Sequence, residues 1–141
     1  MENKTNPTDL IAPLYDNLIK PGFWEYENIY QIGIMEKYLH PKSTILNIGA
    51  GIVRLTIPLI QEPCFYKVIV VEHSVAMYKQ LTNKVTSNEL TAFFKGHNGF
   101  INTLKIEAPI NLAFAFWSVL NYITTEKQMQ IMFDKVYNFL Y

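Results

Sequence analysis

This sequence has only one cysteine and no excess of charge of either sign, and each of these features narrows the functions open to it. The single cysteine, Cys64, cannot form an internal disulfide, which indicates a reducing compartment, so we expect a cytoplasmic protein. The 12 Lys and Arg residues balance 12 Asp and Glu residues. Proteins that hold a phosphate backbone normally carry a basic surplus, so we expect no nucleic-acid partner.

Long hydrophobic runs and clustered metal ligands are lacking as well. The longest apolar stretch, residues 110–123, is interrupted by Asn111, Ser118 and Asn121 and is shorter than the roughly 20 residues of a membrane helix. The first nine residues are polar and contain no apolar signal segment. We therefore expect no membrane partner. Three scattered histidines and one cysteine offer no ligand spacing, so no metal site is predicted.

The chain does contain segments of apolar residues with the pattern of strands, and these alternate with segments that have the periodicity of helices. Its 141 residues, of which 50% are hydrophobic, suffice for the core of one domain. Apolar runs predict four strands, at residues 43–48, 67–71, 90–94 and 110–116. Helical periodicity and capping signals predict helices at residues 10–20, 23–39, 54–61, from an N-cap at Ser74, and at 126–140 after a capping box of Thr125 and Gln128. The alternation indicates an α/β fold, a Rossmann-like three-layer sandwich with a mostly parallel sheet.

Two segments near the N-terminus carry separate expectations. Residues 1–9 are predicted to be a loose tail. The helix at 23–39 is apolar on more than one face, through residues such as Trp24, Ile29 and Tyr30. Helices of that kind are usually wedged between other elements, so we expect this one to be buried on several sides.

The residues that carry chemistry follow the first two strands. Gly49 and Gly51 permit a tight turn and a close approach of the backbone to a ligand at a helix N-terminus. Glu72 lies just after the second predicted strand, 23 residues beyond Gly49, where an acidic residue can accept hydrogen bonds from both ribose hydroxyls. Ligands of such sheets bind beyond the carboxyl ends of the strands. A tight strand-to-helix turn without a ligand would use the same glycines, so that alternative stays open.

The segment from Ser43 to Leu59, with its Asn-Ile-Gly-Ala-Gly loop, resembles the first motif of class I S-adenosylmethionine (SAM) dependent methyltransferases. It is most similar to the branch that acts on small molecules, where Arg-Leu-Thr-x-Pro-Leu often follows the loop. Residues 68–77 resemble the second motif, residues 110–125 the fourth strand, and Tyr15-Asp16 a pair near the start of many members. The resemblance implies a helical cap over residues 1–40 and a SAM-binding core over 41–141.

The resemblance also implies a set of site residues. SAM would be bound by Asn47, Gly49, Ala50, Gly51, Glu72, His73, His97 and Trp117. Trp117 would either stack on the adenine or form a wall of the substrate pocket, and ordinary burial of an aromatic residue is the alternative. Candidates for a general base are Tyr15, His73, His97 and Tyr122. Arg54 is interpreted as an exposed helix residue.

The departures from the family pattern concern charge. An acidic residue is usual where this chain has Asn47, the third glycine of the loop is replaced by Val53, Gly-Asp after the third strand reads Gly96-His97, and Asn111 stands for an Asp. Three carboxylates are therefore absent. Each lost charge-assisted hydrogen bond would cost about 1–3 kcal/mol of affinity.

The chain also matches only part of the family fold, because the family sheet has seven strands and only about four are predicted here. Three functions stay open: a methyltransferase that transfers the SAM methyl group to a small molecule, a catalytically degenerate or truncated fold that acts as a partner or scaffold, and an NAD-binding domain. The NAD fingerprint requires a third glycine at position 54, which is Arg54.

The fourth strand also leads to a prediction about assembly. In the family order it would lie beside the strands that are not predicted here, and residues 110–116 contain no Lys or Pro to block pairing. The final helix would keep an uncovered apolar surface. We therefore expect a homodimer, or a complex with a complementary chain, through this flank.

Overall fold

A computed structural model describes residues 6–18, 22–52, 54–62, 66–107, 109–117 and 119–140, without the side chains of Asp16, Phe23 and Trp24. Residues 1–5, Val53 and Cys64, which entered the sequence predictions, lie outside the described residues. The predictions that rest on the side chains of Asp16 and Trp24 lie outside them as well.

Four parallel strands form one sheet at the centre of the fold. They are β1 (Thr44–Ile48), β2 (Lys67–Glu72), β3 (Phe94–Asn98) and β4 (Leu112–Phe114). The spatial order is β3-β2-β1-β4, and each neighbouring pair runs parallel. All three connections between paired strands therefore need a crossover, as the alternation of strands and helices predicts. The expected Rossmann-like α/β fold is confirmed.

Within the described residues, six α-helices accompany the sheet: α1 (Pro7–Ile11), α2 (Tyr15–Leu18), α3 (Phe23–Met35), α4 (Thr56–Gln61), α5 (Val75–Ser87) and α6 (Glu126–Leu140). Short 3₁₀ turns lie at Ala12–Leu14, Glu36–Tyr38, Thr91–Phe93, Ile101–Thr103 and Val119–Tyr122. Two predicted caps are confirmed. The Ser74 hydroxyl accepts a hydrogen bond of 3.1 Å from the Met77 amide at the start of α5, and the Thr125 hydroxyl accepts one of 3.3 Å from the Gln128 amide.

The core lies in two layers, one on each face of the sheet. Alternate residues of a strand point to opposite faces, so Ile45 and Val68 lie on one face and Leu46 and Ile69 on the other. The first face packs against residues of α3 and α4, and the second against Phe139 of α6. Both central strands are buried on both faces, which explains the continuous apolar run of β2 and the apolar residues on either side of Asn47 in β1.

The edge strands differ from the prediction. β3 was expected at residues 90–94 but occupies Phe94–Asn98, because residues 91–93 form a 3₁₀ turn after α5. β3 is an edge strand that pairs on one side only and is less buried than the central strands. Its Lys-Gly-His-Asn sequence is therefore compatible with a strand although it contains no apolar run. β4 is shorter than the predicted 110–116. The Ile110 amide donates a hydrogen bond of 2.8 Å to the Phe139 carbonyl of α6, and not to a neighbouring strand.

The expected N-terminal tail is wrong for the residues that the structure describes. The Asn6 side chain caps α1 by accepting a hydrogen bond of 3.1 Å from the Thr8 amide. Asp9 then fixes α1 against α5, because its carboxylate accepts hydrogen bonds from the Ser74 hydroxyl at 2.5 Å and the Ala76 amide at 3.1 Å. Residues this far apart in sequence give no local signal of their pairing.

The expectation that α3 is wedged between other elements is also wrong. Its C-terminal part and the following turn bury Ile32, Met35 and Leu39 in the core. Ile29 and Tyr30, on another face, are 65% and 69% exposed. Among the α3 side chains that the structure describes, one face is therefore buried, and the other apolar residues lie at or near the surface.

The contact of Asp9 leads to a prediction about pH. The hydrogen bond from Ser74, then that from Ala76 and the nearby His73, lower the pKa of Asp9 below its ordinary 3.8. A carboxyl group whose pKa is lower in the folded protein adds stability above its unfolded pKa, and loses it as the pH falls through the folded value. We expect Asp9→Asn to reduce the unfolding temperature at pH 7, and the difference from wild type to shrink below about pH 4. Thermal unfolding of both proteins at pH 7 and below about pH 4 measures this. An equal difference in unfolding temperature between variant and wild type at the two pH values would contradict the prediction.

Within the described parts of the chain, no helix is both long enough and apolar enough to cross a membrane.

Candidate functional site

A cavity of about 1000 Å³ opens at the carboxyl ends of β1, β2 and β4. Its walls come from the loops after these strands and after β3, from the N-terminal segment of residues 6–15 and from the start of α6. The lining includes Asn6, Thr8, Ile11, Tyr15, Asn47, Gly49, Ala50, Gly51, Arg54, Leu55, Glu72, His73, Phe100, Phe114, Phe116, Trp117, Val119, Tyr122 and Ile131. This is the edge where open parallel sheets bind ligands.

The glycine loop after β1 has the conformation that its sequence predicts. Gly49 and Gly51 have φ angles of +69° and +58°. A Cβ atom on Gly49 would lie 2.5 Å from Cγ2 of Val119, so only glycine fits there. A Cβ on Gly51 would meet nothing within 4 Å. Gly49 is therefore fixed by both its φ angle and its neighbour, and Gly51 by its φ angle alone.

The amides of this loop bond to β2. The Gly49 and Ala50 amides donate to the Val71 carbonyl at 2.8 and 3.3 Å. The sequence places the loop at a helix N-terminus, but α4 begins only at Thr56. The loop is thus a rigid turn that brings the chain close to the cavity.

Glu72, at the end of β2, is the central acidic group. Its side chain is buried, and its two oxygens accept hydrogen bonds of 2.8 Å from the Gly51 and Ser74 amides. One carboxylate therefore ties the glycine loop of β1 to the start of α5. A carboxylate has about four lone-pair sites, so these two amides leave acceptor capacity for a ligand in the cavity.

Asn47 lies on β1 beneath the loop. It is 4% exposed, and its amide group donates a hydrogen bond of 3.2 Å to the Thr56 hydroxyl. The side chain thereby joins β1 to the first turn of α4. Since Asn carries no charge, this position supplies polarity to the cavity wall without electrostatic attraction for a cation.

An aromatic group lies on the β2 side of the cavity. The rings of His73 and Phe100 are stacked with centroids 5.5 Å apart, and the Tyr122 ring is 6.2 Å from His73. Nδ1 of His73 is 3.5 Å from the Glu72 carboxylate. Phe100 and Tyr122 are both 65% exposed, so two large ring surfaces stand at the rim of the cavity.

A second aromatic group lies on the β4 side. The Arg54 guanidinium carbon is 3.7 Å from the centroid of the Trp117 ring, a cation–π contact. Trp117 has a φ of +58°, which costs an L-residue about 1–2 kcal/mol. Strained residues of this kind often occur at functional sites. Arg54 lies in the turn before α4 and is partly buried, so its interpretation as an exposed helix residue is wrong.

Tyr15 reaches the cavity between these two groups. Burial raises the pKa of its phenol, the Arg54 charge opposes that rise, and Tyr122 and Glu72 add to it. Burial likewise lowers the pKa of Arg54, against the influence of Tyr15 and Glu27. A phenol with a raised pKa keeps its proton at neutral pH, so the Tyr15 hydroxyl is able to donate a hydrogen bond to a group in the cavity.

The structure brings together all but one of the site residues predicted from sequence. Tyr15, Asn47, Gly49, Ala50, Gly51, Glu72, His73, Trp117 and Tyr122 line the cavity. His97 does not line it, and its Nε2 lies 2.9 Å from the Thr103 hydroxyl. Sequence reasoning missed Phe100 and the lining role of Arg54. Of these, only Arg54 gave a signal, the Arg of the first motif.

Among the residues with described positions, no group of three or more His, Cys, Asp or Glu side chains is arranged to hold a metal ion.

Comparison with known proteins gives matches at the level of structure alone. No family model matches the sequence, and no curated protein is significantly similar to it. A protein assigned as a SAM-dependent methyltransferase from Methanococcus maripaludis matches 99% of the chain with a TM-score of 0.78 and 20% identity. A SAM-dependent methyltransferase from Clostridium acetobutylicum matches 95% with a TM-score of 0.73 and 23% identity. The CcbJ methyltransferase from Streptomyces caelestis matches 93% with a TM-score of 0.73 and 20% identity.

The chain spans between 51% and 62% of the length of these three proteins. It therefore has the Rossmann-like fold that these methyltransferases share, over somewhat more than half of their length.

Proposed function

We propose that this chain binds SAM and belongs to a methyltransferase that acts on a small molecule. The observation that carries the proposal is the buried Glu72 carboxylate, held at the end of β2 against the Gly51 amide and facing the cavity. The fold supports it, since solved structures of this architecture include the glycopeptide N-methyltransferase MtfA with SAM and SAM-bound CalS10, an amino pentose methyltransferase.

In this proposal different residues of the cavity contact different parts of SAM. Glu72 accepts hydrogen bonds from the ribose hydroxyls, and the stacked rings of His73 and Phe100 offer a flat surface beside it. SAM supplies a methyl group that is already activated, so the task of the protein is alignment with the acceptor. Tyr15 donates a hydrogen bond at neutral pH, while His73 and Tyr122 remain the candidates for accepting a proton.

Calorimetric titration with SAM, its demethylated product S-adenosylhomocysteine and NAD tests the proposal. We expect heat with the first two ligands at up to millimolar concentration and none with NAD. Binding of NAD alone would favour the dinucleotide-binding domain. Because Asn47 carries no charge to attract the ammonium group of SAM, we expect weak SAM affinity, so a thermal-shift assay at high ligand concentration is the second measurement.

A specific observation favours a scaffold as the second candidate. The polar groups nearest the ligand position already bond within the protein, the Glu72 oxygens to two amides and the Gly49 and Ala50 amides to Val71. A fold that kept these contacts for rigidity alone would look the same. Absence of any heat or thermal shift with SAM at millimolar concentration would favour this candidate.

Asn47 provides a test of the lost charge. We expect Asn47→Asp to tighten SAM binding severalfold, because a carboxylate at this position attracts the ligand's ammonium group. The same change should lower the unfolding temperature of the free protein at pH 7, since position 47 is only 4% exposed and a buried charge is costly. Titration and thermal unfolding measure the two effects. Unchanged or weaker SAM affinity would show that the ammonium group does not lie near this position.

We also propose that the chain forms a homodimer through the flank of β4 and α6, and that it resides in the cytoplasm. β4 is an edge strand. On α6, Phe133 and Tyr137 lie one turn apart on the same face and are 54% and 62% exposed. A second copy would pair the edge and cover this apolar face. Light scattering behind a sizing column is expected to give the mass of two chains, and Phe133→Glu is expected to give that of one. A wild-type monomer at tens of micromolar would contradict the proposal.

A further inference from the structure

The β4 side of the cavity has a chemistry of its own, distinct from the ribose side. Besides the phenols of Tyr15 and Tyr122, three groups that carry or can carry charge lie among the described lining residues: Arg54, Glu72 and His73. Glu72 and His73 lie together at the end of β2, within 3.5 Å of each other. Arg54 lies against Trp117, which follows β4, and β4 pairs with β1 on the side away from β2. The cavity therefore has a negative end and a positive end.

Several contacts fix the positive end. The Arg54 guanidinium covers the Trp117 ring at 3.7 Å, so one of its flat faces is packed. The Asn28 side chain of α3 forms two hydrogen bonds with Arg54. Its oxygen accepts one of 3.4 Å from Nη2 of the guanidinium, and its NH₂ group donates one of 3.3 Å to the Arg54 backbone carbonyl. A guanidinium held by its face presents its N–H groups in the plane of the ring system, the geometry that suits a planar carboxylate.

The surroundings of Arg54 favour an anion attached to an apolar body. Leu55, Phe114 and Phe116 line the cavity beside it, and the rings of the two phenylalanines lie 5.0 Å apart. Burial in these surroundings lowers the pKa of Arg54, while Tyr15 and Glu27 oppose the shift. Glu27 is not among the residues that line the cavity, so its carboxylate does not occupy the space beside Arg54 into which a ligand would enter.

We propose that Arg54, supported by Trp117, is a binding subsite for a ligand carboxylate on the β4 side of the cavity. This inference rests on the proposed function only for the identity of the molecule that supplies the carboxylate. If the nucleoside lies at Glu72, a carboxylate at Arg54 belongs either to the methyl acceptor, which would then be a small carboxylic acid with an apolar body, or to the methionine end of SAM.

Two matched pairs of probes separate these sources. Benzoate and benzamide have the same shape and differ in charge, and they report on an acceptor carboxylate when titrated with S-adenosylhomocysteine present. S-adenosylhomocysteine and 5′-methylthioadenosine share the nucleoside and thioether, and only the first carries a carboxylate. The variants are Arg54→Gln and, as a control, Lys79→Gln, which removes an exposed positive charge from α5.

We expect wild type and the Lys79→Gln variant to bind benzoate at least tenfold more tightly than benzamide, and Arg54→Gln to lose this preference. A tenfold loss of S-adenosylhomocysteine binding in Arg54→Gln, with methylthioadenosine unchanged and no benzoate preference in wild type, would assign the subsite to the methyl donor. Unchanged binding of all four probes in Arg54→Gln would overturn the proposal.

The wild type alone keeps the test decisive if Arg54→Gln does not fold. Equal binding of benzoate and benzamide, together with equal binding of the two nucleosides, would overturn the subsite without any variant. If wild type binds neither nucleoside, the proposed function fails, while the comparison of benzoate with benzamide still decides the subsite.

Discussion

Replacing Glu72 with glutamine is expected to weaken SAM binding at least tenfold, about 1.4 kcal/mol, and to lower the unfolding temperature of the free protein. Both effects have one cause. The Glu72 oxygens accept from the Gly51 and Ser74 amides at 2.8 Å. A glutamine side chain has one acceptor and one donor group, so its NH₂ would face one of these N–H donors.

The cost of that mismatch is the cost of a buried amide left without an acceptor. This amounts to about 1–3 kcal/mol, which for a domain of this size lowers the unfolding temperature by several degrees. Calorimetry measures the affinity and thermal unfolding the stability. Glu107→Gln, at an exposed loop position, is the matched control and should change neither. A Glu72→Gln protein with wild-type stability would show that the carboxylate does not tie the loop to α5.

Gly49→Ala is expected to be the most destabilising single change in the glycine loop. Its φ of +69° costs an alanine about 1–2 kcal/mol, and the added Cβ would lie 2.5 Å from Val119. Relief of that overlap requires movement of Val119, at a further cost of about 1–3 kcal/mol. Val119 lines the cavity, so ligand binding should weaken as well.

The matched control is Gly51→Ala, two residues along the same loop. Its φ is +58°, but the space around its Cβ is open. We expect it to lose only the conformational term, so urea unfolding should find it more stable than Gly49→Ala by about 1–3 kcal/mol. Equal losses in the two variants would contradict the role assigned to Val119.

Local sequence patterns determined the central part of this molecule. β1 and β2 are buried on both faces, so burial imposes apolar residues on nearly all their interior positions, with Asn47 of β1 the exception, and such patterns can be read directly. The turn at Gly49 and Gly51 and the cap at Ser74 depend on residues within a few positions of one another. The position of Glu72 could be predicted because it lies at the end of the apolar run of β2. These features placed the negative end of the cavity from sequence alone.

Tertiary structure decided the rest, because the remaining contacts join residues that are distant in the chain. β3 lies at the edge of the sheet, where burial imposes no apolar run, so its position was predicted four residues too early. Pairing of β4 with β1 brings Trp117 onto Arg54 across 63 residues, and Asp9 reaches Ser74 across 65. The order of strands and the docking of α1 are properties of the packed whole. The sequence by itself therefore specified an acidic group and a glycine loop, and packing alone placed a cation opposite them.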